Sequence, residues 1–289
     1  MADRMTTIVV AVLSGVAVLL AGNVPWGVLA SANQRVGVTA PWAILPMALY
    51  LWIYWSVIGG RWGPRGSAAT RRANLRANRL SGDVWGASLV AGLLGFGALI
   101  ALLSVMARLV SLPPSPPITM PAGMPFITSF LLLVMASIVA GVTEEAAFRG
   151  YMQGPIERRF GVAVAILING TMFGLLHFAN HPADVLKMLP YYIAVSAVYG
   201  GLTWAANSIL PAVVLHSGGN VWSLSRLWLT GRPEWQLSSS PPALIGETGV
   251  DAGFLTAAVA FLALAGLTTW AYAGVHRLRT RGHEHELRA

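Results

Sequence analysis

Two adjacent carboxylates, Glu144 and Glu145, close the apolar run Phe130-Leu-Leu-Leu-Val-Met-Ala-Ser-Ile-Val-Ala-Gly-Val-Thr143, and Arg149 and Gly150 follow them. Of the 11 acidic residues in the chain, only these two sit at or inside a long hydrophobic segment. An ionisable group in that setting is costly and marks a functional site by default. At about 100° per residue on an α-helix, Glu145 and Arg149 share a face and can form an i,i+4 ion pair. Glu144 is rotated away from that pair and is expected to point alone into the interior, where a carboxylate can act as a general base. The spacing thus suggests a supporting role for Glu145 with Arg149 and a chemical role for Glu144. The alternative is a purely structural charge cluster at the end of a helix.

Two further polar pairs lie downstream. Phe173-Gly-Leu-Leu-His177 places a ring and an imidazole on one helical face, and His216-Ser-Gly-Gly-Asn220 does the same for an imidazole and an amide. Gly218 and Gly219 leave room for a close neighbour or a substrate backbone. Each pair alone could be a set of interhelical hydrogen bonders. Together, an acid, two histidines and an amide from three segments form a set that hydrocarbon would not tolerate idle. His181, four residues after His177, could complete a metal pair, but Pro182 directly after it argues for a loop. His283 and His285 have a metal-binding look, and a solvated, poorly ordered tail is the expectation there.

Composition supplies the setting. The 289 residues are 55% hydrophobic and 10% charged, with a mean hydropathy of +0.63. This is an all-α, polytopic transmembrane bundle rather than a soluble domain. The net charge of +8 does not call for nucleic acid, because the arginines lie between apolar runs, as topogenic charges do. The absence of cysteine removes disulfides, thiolate zinc sites and cysteine nucleophiles. The first apolar run lacks a convincing cleavage site and reads as a retained helix.

About 20 mainly apolar residues make a span. On that measure the chain holds about eight, near 7–30, 40–59, 85–107, 126–152, 161–180, 187–206, 209–229 and 252–275. The first is interrupted by Asn23 and Pro25. The joint at Asn207-Ser208 makes a tight hairpin of the sixth and seventh. With the N-terminus inside, 13 basic residues fall in inner segments and three (Arg35, Lys187, Arg232) in outer ones. That imbalance predicts a cell-membrane protein with both termini cytoplasmic. The Arg-rich loop at 60–83 is a topology signal and also suggests a short interfacial helix with Leu75 and Leu80 dipped into lipid. Helix four running inward from Phe126 puts Glu144 near its inner end. So either that helix continues past Arg149, or the 150–161 segment turns back into the membrane. The organisation is read as helices one to three over 1–125, a core over 126–229, and an outer loop, last helix and tail over 230–289.

Glu144-Glu145-Ala-Ala-Phe-Arg149, Phe173-Gly-Leu-Leu-His177 and His216-Ser-Gly-Gly-Asn220 resemble, in order, the EExxxR, FxxxH and HxxxN motifs of the CPBP intramembrane proteases. This is the CAAX-protease and bacteriocin-processing family, also labelled Abi. The resemblance implies an intramembrane endopeptidase acting on membrane-associated or lipidated, CAAX-like peptides. It implies that Glu144 activates water, that His177 positions or deprotonates it, and that His216 and Asn220 donate to the oxyanion. Glu145, Arg149 and Phe173 would support them. The family has been described both as metal-independent and as metallo-enzymes. The reading here favours no cofactor, since HExxH is absent; a divalent metal such as zinc would take Glu144, His177 and His216. Membrane lipids and the peptide substrate are the expected partners, and the sequence does not set an oligomeric state. The competing readings are a non-catalytic scaffold or immunity-type protein keeping the family fold, and a small transporter with a proton-binding acid.

Overall fold

The computed structural model describes residues 2–115, 117–177, 182–233, 236 and 242–286, and among these there is no strand. In chain order the helices are α1 (Ala2–Val36), α2 (Ile44–Ile58), α3 (Ala68–Leu75), α4 (Gly82–Leu109) and α5 (Phe126–Glu144). A π-helical segment (Glu145–Met152) then leads directly into α6 (Gln153–Phe160). They are followed by α7 (Val162–His177), α8 (Pro182–Ala206), α9 (Leu210–Thr230), α10 (Ile245–Thr248) and α11 (Ala252–Glu286). Each of the eight apolar runs is thus a helix.

Among the described residues, five helical stretches are long and apolar enough to cross a bilayer: Asp3–Val36, Gly82–Leu109, Phe126–Phe160, Asp184–Ala206 and Ala252–Arg281. Ile44–Ile58 and Val162–His177 are apolar but shorter. α9 has the length, yet His216, Ser217, Asn220, Ser223 and Arg226 keep it out of that set. Large apolar side chains face outward, among them Leu13, Val28, Leu262 and Trp270 at 64%, 64%, 68% and 70% exposure. Such a surface needs lipid around it. The protein is a multi-pass membrane protein.

The chain divides into two compact units, each woven from three separate stretches. The first comprises Met1–Ala77, Pro117–Gly161 and Val213–Gly231. Here α1 packs along α5, the π segment and α6, and α2 packs on α1 and α5. The expected break in the first helix does not occur: α1 runs through Asn23 and Pro25. Proline lacks the N–H that would bond the carbonyl four residues back, at Ala21. The Tyr50 hydroxyl donates to that same carbonyl at 2.6 Å. Asn23 also has a partner, because the Thr143 hydroxyl donates to its Oδ1 at 3.0 Å. A Cβ on Gly22 would lie 2.3 Å from the Thr143 methyl, so α1 and α5 meet backbone to side chain just before the acidic pair.

The 60–83 stretch does contain a short helix, α3, but Leu75 does not enter lipid. It is 2% exposed, beside Gly59 and the backbone at Gly150. Arg76, left-handed at φ 55°, caps α3 and forks onto Glu157 at 2.9 and 3.0 Å. Of the two alternatives for 150–161, the helix continues past Arg149 and ends at Gly161, whose φ of 85° suits glycine.

The second unit comprises Asn78–Pro116, Val162–Ala212 and Arg232–Ala289. α4 packs along α11, α7 along α8, and α8 on both α4 and α11. The Tyr272 hydroxyl donates to the Val198 carbonyl at 2.7 Å. The Arg108 guanidinium forks onto Asp251 at 3.1 and 2.8 Å, and Asp251 Oδ1 accepts the Phe254 N–H at 2.8 Å, capping α11. α11 remains helical in its backbone to Glu286.

Candidate active site

The acidic pair sits where α5 gives way to the π segment. In a π turn the hydrogen bonds run from i to i+5, and such turns inside α-helices gather at functional sites. The wider turn changes the direction of the side chains from what an α-helix would give. Glu145 and Arg149 are both fully buried, with Arg149 Nη1 3.1 Å from Glu145 Oε1. Ion pairing four residues apart therefore occurs as the spacing indicates.

Glu144 is not alone. His216 on α9 stands between the two acids, its Nδ1 2.7 Å from Glu145 Oε1 and its Nε2 3.7 Å from Glu144 Oε2. A carboxylate accepts, so the network assigns the proton to Nδ1, donating to Glu145. Nε2 is then turned toward Glu144. The gap of 3.7 Å is too wide for a direct hydrogen bond. It suits a third oxygen lying about 2.8 Å from each atom. The Glu144 side chain keeps 14% exposure and His216 keeps 8%, whereas Glu145 has none. Glu145 is therefore a positioning group, and the accessible acid is Glu144.

Three contacts along α5 and α9 set this register. Phe126 stacks on Trp228 with centroids 5.0 Å apart, Gly141 faces Ser217, and Glu145 meets His216. A Cβ on Gly141 would lie 2.1 Å from Ser217 Oγ and 2.8 Å from its backbone nitrogen, so only glycine lets the helices approach this far. Gly218 has open space around it, and the close approach of the helices is at Gly141 and Ser217. Asn220 lies one turn beyond His216 on α9 and is partly exposed.

His177 belongs to the second unit, at the end of α7. Its Nδ1 lies 2.9 Å from the Phe173 carbonyl, so Nδ1 carries the proton and Nε2 is left as an acceptor. Phe173 and Tyr192 hold the ring, with centroids 4.3 and 5.0 Å away. Phe173 is thus a wall for His177 as well as the source of its hydrogen bond. Tyr192, Ser217 and Gly141 were missed from sequence. Tyr192 belongs to no motif, and the only cue to Gly141 is a small residue one turn before the acids. His181 lies outside the described residues, as do the side chains of His283 and His285.

Residues 126–222 match the family model described as type II CAAX prenyl endopeptidase, Rce1-like. This segment belongs to the CPBP intramembrane proteases. The CPBP match runs from the first residue of α5 into α9 and includes Glu144, Glu145, Arg149, Phe173, His177, His216 and Asn220. It supports a peptidase of the CAAX-protease type. No curated protein and no solved structure matches the chain.

A zinc site on Glu144, His177 and His216 is the alternative that the CPBP resemblance leaves open. Among the described residues of the first unit, no three His, Asp or Glu side chains gather to hold a metal ion. Glu145 Oε1 and His216 Nδ1 face each other, and Arg149 approaches the same carboxylate oxygen. Of the three candidate zinc ligands, the first unit supplies Glu144 and His216, and His177 belongs to the second unit.

Proposed function

We propose that this protein is an intramembrane endopeptidase in which Glu144 activates water against a peptide bond of a membrane-associated or lipidated, CAAX-like substrate. The observation that carries the reading is the approach of Glu144 Oε2 and His216 Nε2 to 3.7 Å, room for one water oxygen between them. A water between them donates one hydrogen to each and presents its lone pair outward. As the water oxygen bonds to the carbonyl carbon, its proton passes to Glu144. The carbonyl oxygen becomes an oxyanion. When the C–N bond breaks, Glu144 returns that proton to the leaving amine. Asn220 donates to the oxyanion in any protonation state. His216 can share that task only when Nε2 is protonated, because Nδ1–H is committed to Glu145. The family resemblance gives His177 the part of positioning the water. Glu145 and Arg149 hold His216 in one tautomer and orientation. Both termini face the cytoplasm on this reading, supported by the excess of arginine in the inner segments.

The test uses purified wild type and Glu144→Gln in detergent, incubated with a peptide library containing lipidated members, with new termini read by mass spectrometry. Wild type cleaves and the variant does not, by at least about 10³-fold, the range lost when a general base or oxyanion donor is removed. A variant of full activity overturns the assignment of Glu144. A parallel sample with a strong chelator keeps its activity; loss there overturns the metal-independent step.

A further inference from the structure

The second unit contains a cavity of about 660 Å³ that the proposed peptidase chemistry does not use. α4, α7, α8 and α11 enclose it, and its lining is almost wholly apolar, with Leu99, Ile166, Val198 and Phe261 among its walls. Trp204, His276 and Arg277 line one end, and Thr268, Thr269 and Tyr272 line it further back along α11. No acidic residue lines the cavity. The Trp204 and His276 rings are stacked 4.7 Å apart at 5°. Arg279 Nη2 lies 3.2 Å from His276 Nδ1, and Arg279 Nη1 donates to the Trp204 carbonyl at 3.3 Å. Arginine is only a donor, so His276 Nδ1 accepts and its proton sits on Nε2. The mouth thus presents donors and positive charge alone.

Along α11 the lining runs from Phe261 to Arg277, on the order of 24 Å at 1.5 Å per residue. That is long and narrow for a compact ligand of this volume. It exceeds the roughly 15 Å depth of one hydrocarbon leaflet. The volume lies within the range of about 300–1,000 Å³ typical of small-molecule sites. An open apolar slot in a bilayer takes up hydrocarbon, and a cationic mouth selects an anionic head.

We propose that this slot is a binding site for one anionic phospholipid, an acyl chain lying along α8 and α11 and the phosphate held at His276 and Arg277. The proposal depends on the membrane setting of the chain and not on the catalytic reading. The test reconstitutes the full chain in phosphatidylcholine vesicles doped with phosphatidylglycerol or further phosphatidylcholine brominated in the acyl chain. Quenching of Trp204 emission is taken as wild type minus Trp204→Phe. Brominated phosphatidylglycerol quenches at a several-fold lower mole fraction than brominated phosphatidylcholine. Arg277→Gln reduces that preference by about fivefold, the effect of one basic residue at an anionic surface. Ala197→Phe, which fills the slot from an exposed lining position, abolishes it. Equal quenching by the two lipids in wild type overturns the site. A preference that survives Ala197→Phe overturns it too, since the lipid is then annular. Displacement of the brominated lipid by a prenylated peptide at equal mole fraction overturns it in favour of a substrate lipid.

Discussion

Removing the Arg149 guanidinium alone tests whether Glu145 is held by charge. Both side chains are fully buried and 3.1 Å apart. Glu145 Oε2 has no hydrogen-bond partner among the described residues, so its carboxylate relies on Oε1, which faces both Arg149 and His216. Arg149→Leu leaves a buried carboxylate that still faces His216 Nδ1. Breaking one side of a buried pair costs about 3–5 kcal/mol, whereas replacing both sides with apolar groups of similar volume is close to neutral. At about 2–4 °C per kcal/mol for a chain of a few hundred residues, Arg149→Leu lowers Tm by on the order of 10 °C. Glu145→Leu with Arg149→Leu recovers most of that loss. The double variant still lacks the acceptor for His216 Nδ1, so its peptidase activity falls by about 10²-fold or more while the fold persists. The assay is near-UV circular dichroism on heating in detergent, paired with cleavage rates on a peptide that the wild type cuts. An Arg149→Leu Tm within about 2 °C of wild type refutes the electrostatic account. Full activity in the double variant refutes the positioning role of Glu145.

Three other perturbations follow from the same geometry. Gly141→Val drives a side chain into Ser217 and pushes α9 away, with about 1–3 kcal/mol lost and activity reduced at least tenfold, read from thermal melts and cleavage rates. Tyr50→Phe strips the donor from the Ala21 carbonyl opposite Pro25 and destabilises by about 1–3 kcal/mol, and adding Pro25→Ala, which restores the backbone N–H, rescues it; an unrescued double variant sinks that reading. Asp251 is held down to about 2 by its hydrogen bond from Arg108 and then by the Phe254 N–H. A depressed carboxyl gives its contribution fully above the ordinary value near 3.9 and loses it as pH falls through about 2, so the clasp at the start of α11 stays closed at pH 5 and opens only in strong acid. Carbon-detected NMR of the Asp251 carboxyl, showing a midpoint near 4, would contradict this.

The long apolar runs made the helices legible, because hydrocarbon leaves the backbone few alternatives. The Glu145–Arg149 pair was also legible, being a local matter of spacing. Glu144 was not. An α-helical wheel sends it away from Glu145, yet both reach the same imidazole, since the π segment alters the wheel at that point. Nothing in Glu-Ala-Ala-Phe-Arg-Gly-Tyr-Met announces such a turn; it belongs to packing against α1 and α3. Pro25 misled for a related reason, because the hydroxyl that relieves it comes from Tyr50 on another helix. Leu75 reads as a lipid anchor in an Arg-rich loop but is claimed by the backbone near Gly150.

A π turn spends more residues on each turn than the α-helix on either side of it. Deleting a single residue from Glu145–Met152 would shorten the Phe126–Phe160 rod by only about 1.5 Å and leave its hydropathy almost unchanged. The machinery that inserts membrane helices by apolarity and length would treat the shortened chain as sound. Everything after the deletion would nonetheless turn by about a quarter of a circle relative to α5. Arg149 would leave Glu145, and the imidazole would lose its anchor. Insertion and catalysis are thus written in the same 35 residues in two different measures. One sums a property over a window and is indifferent to register, while the other counts residues and admits no error.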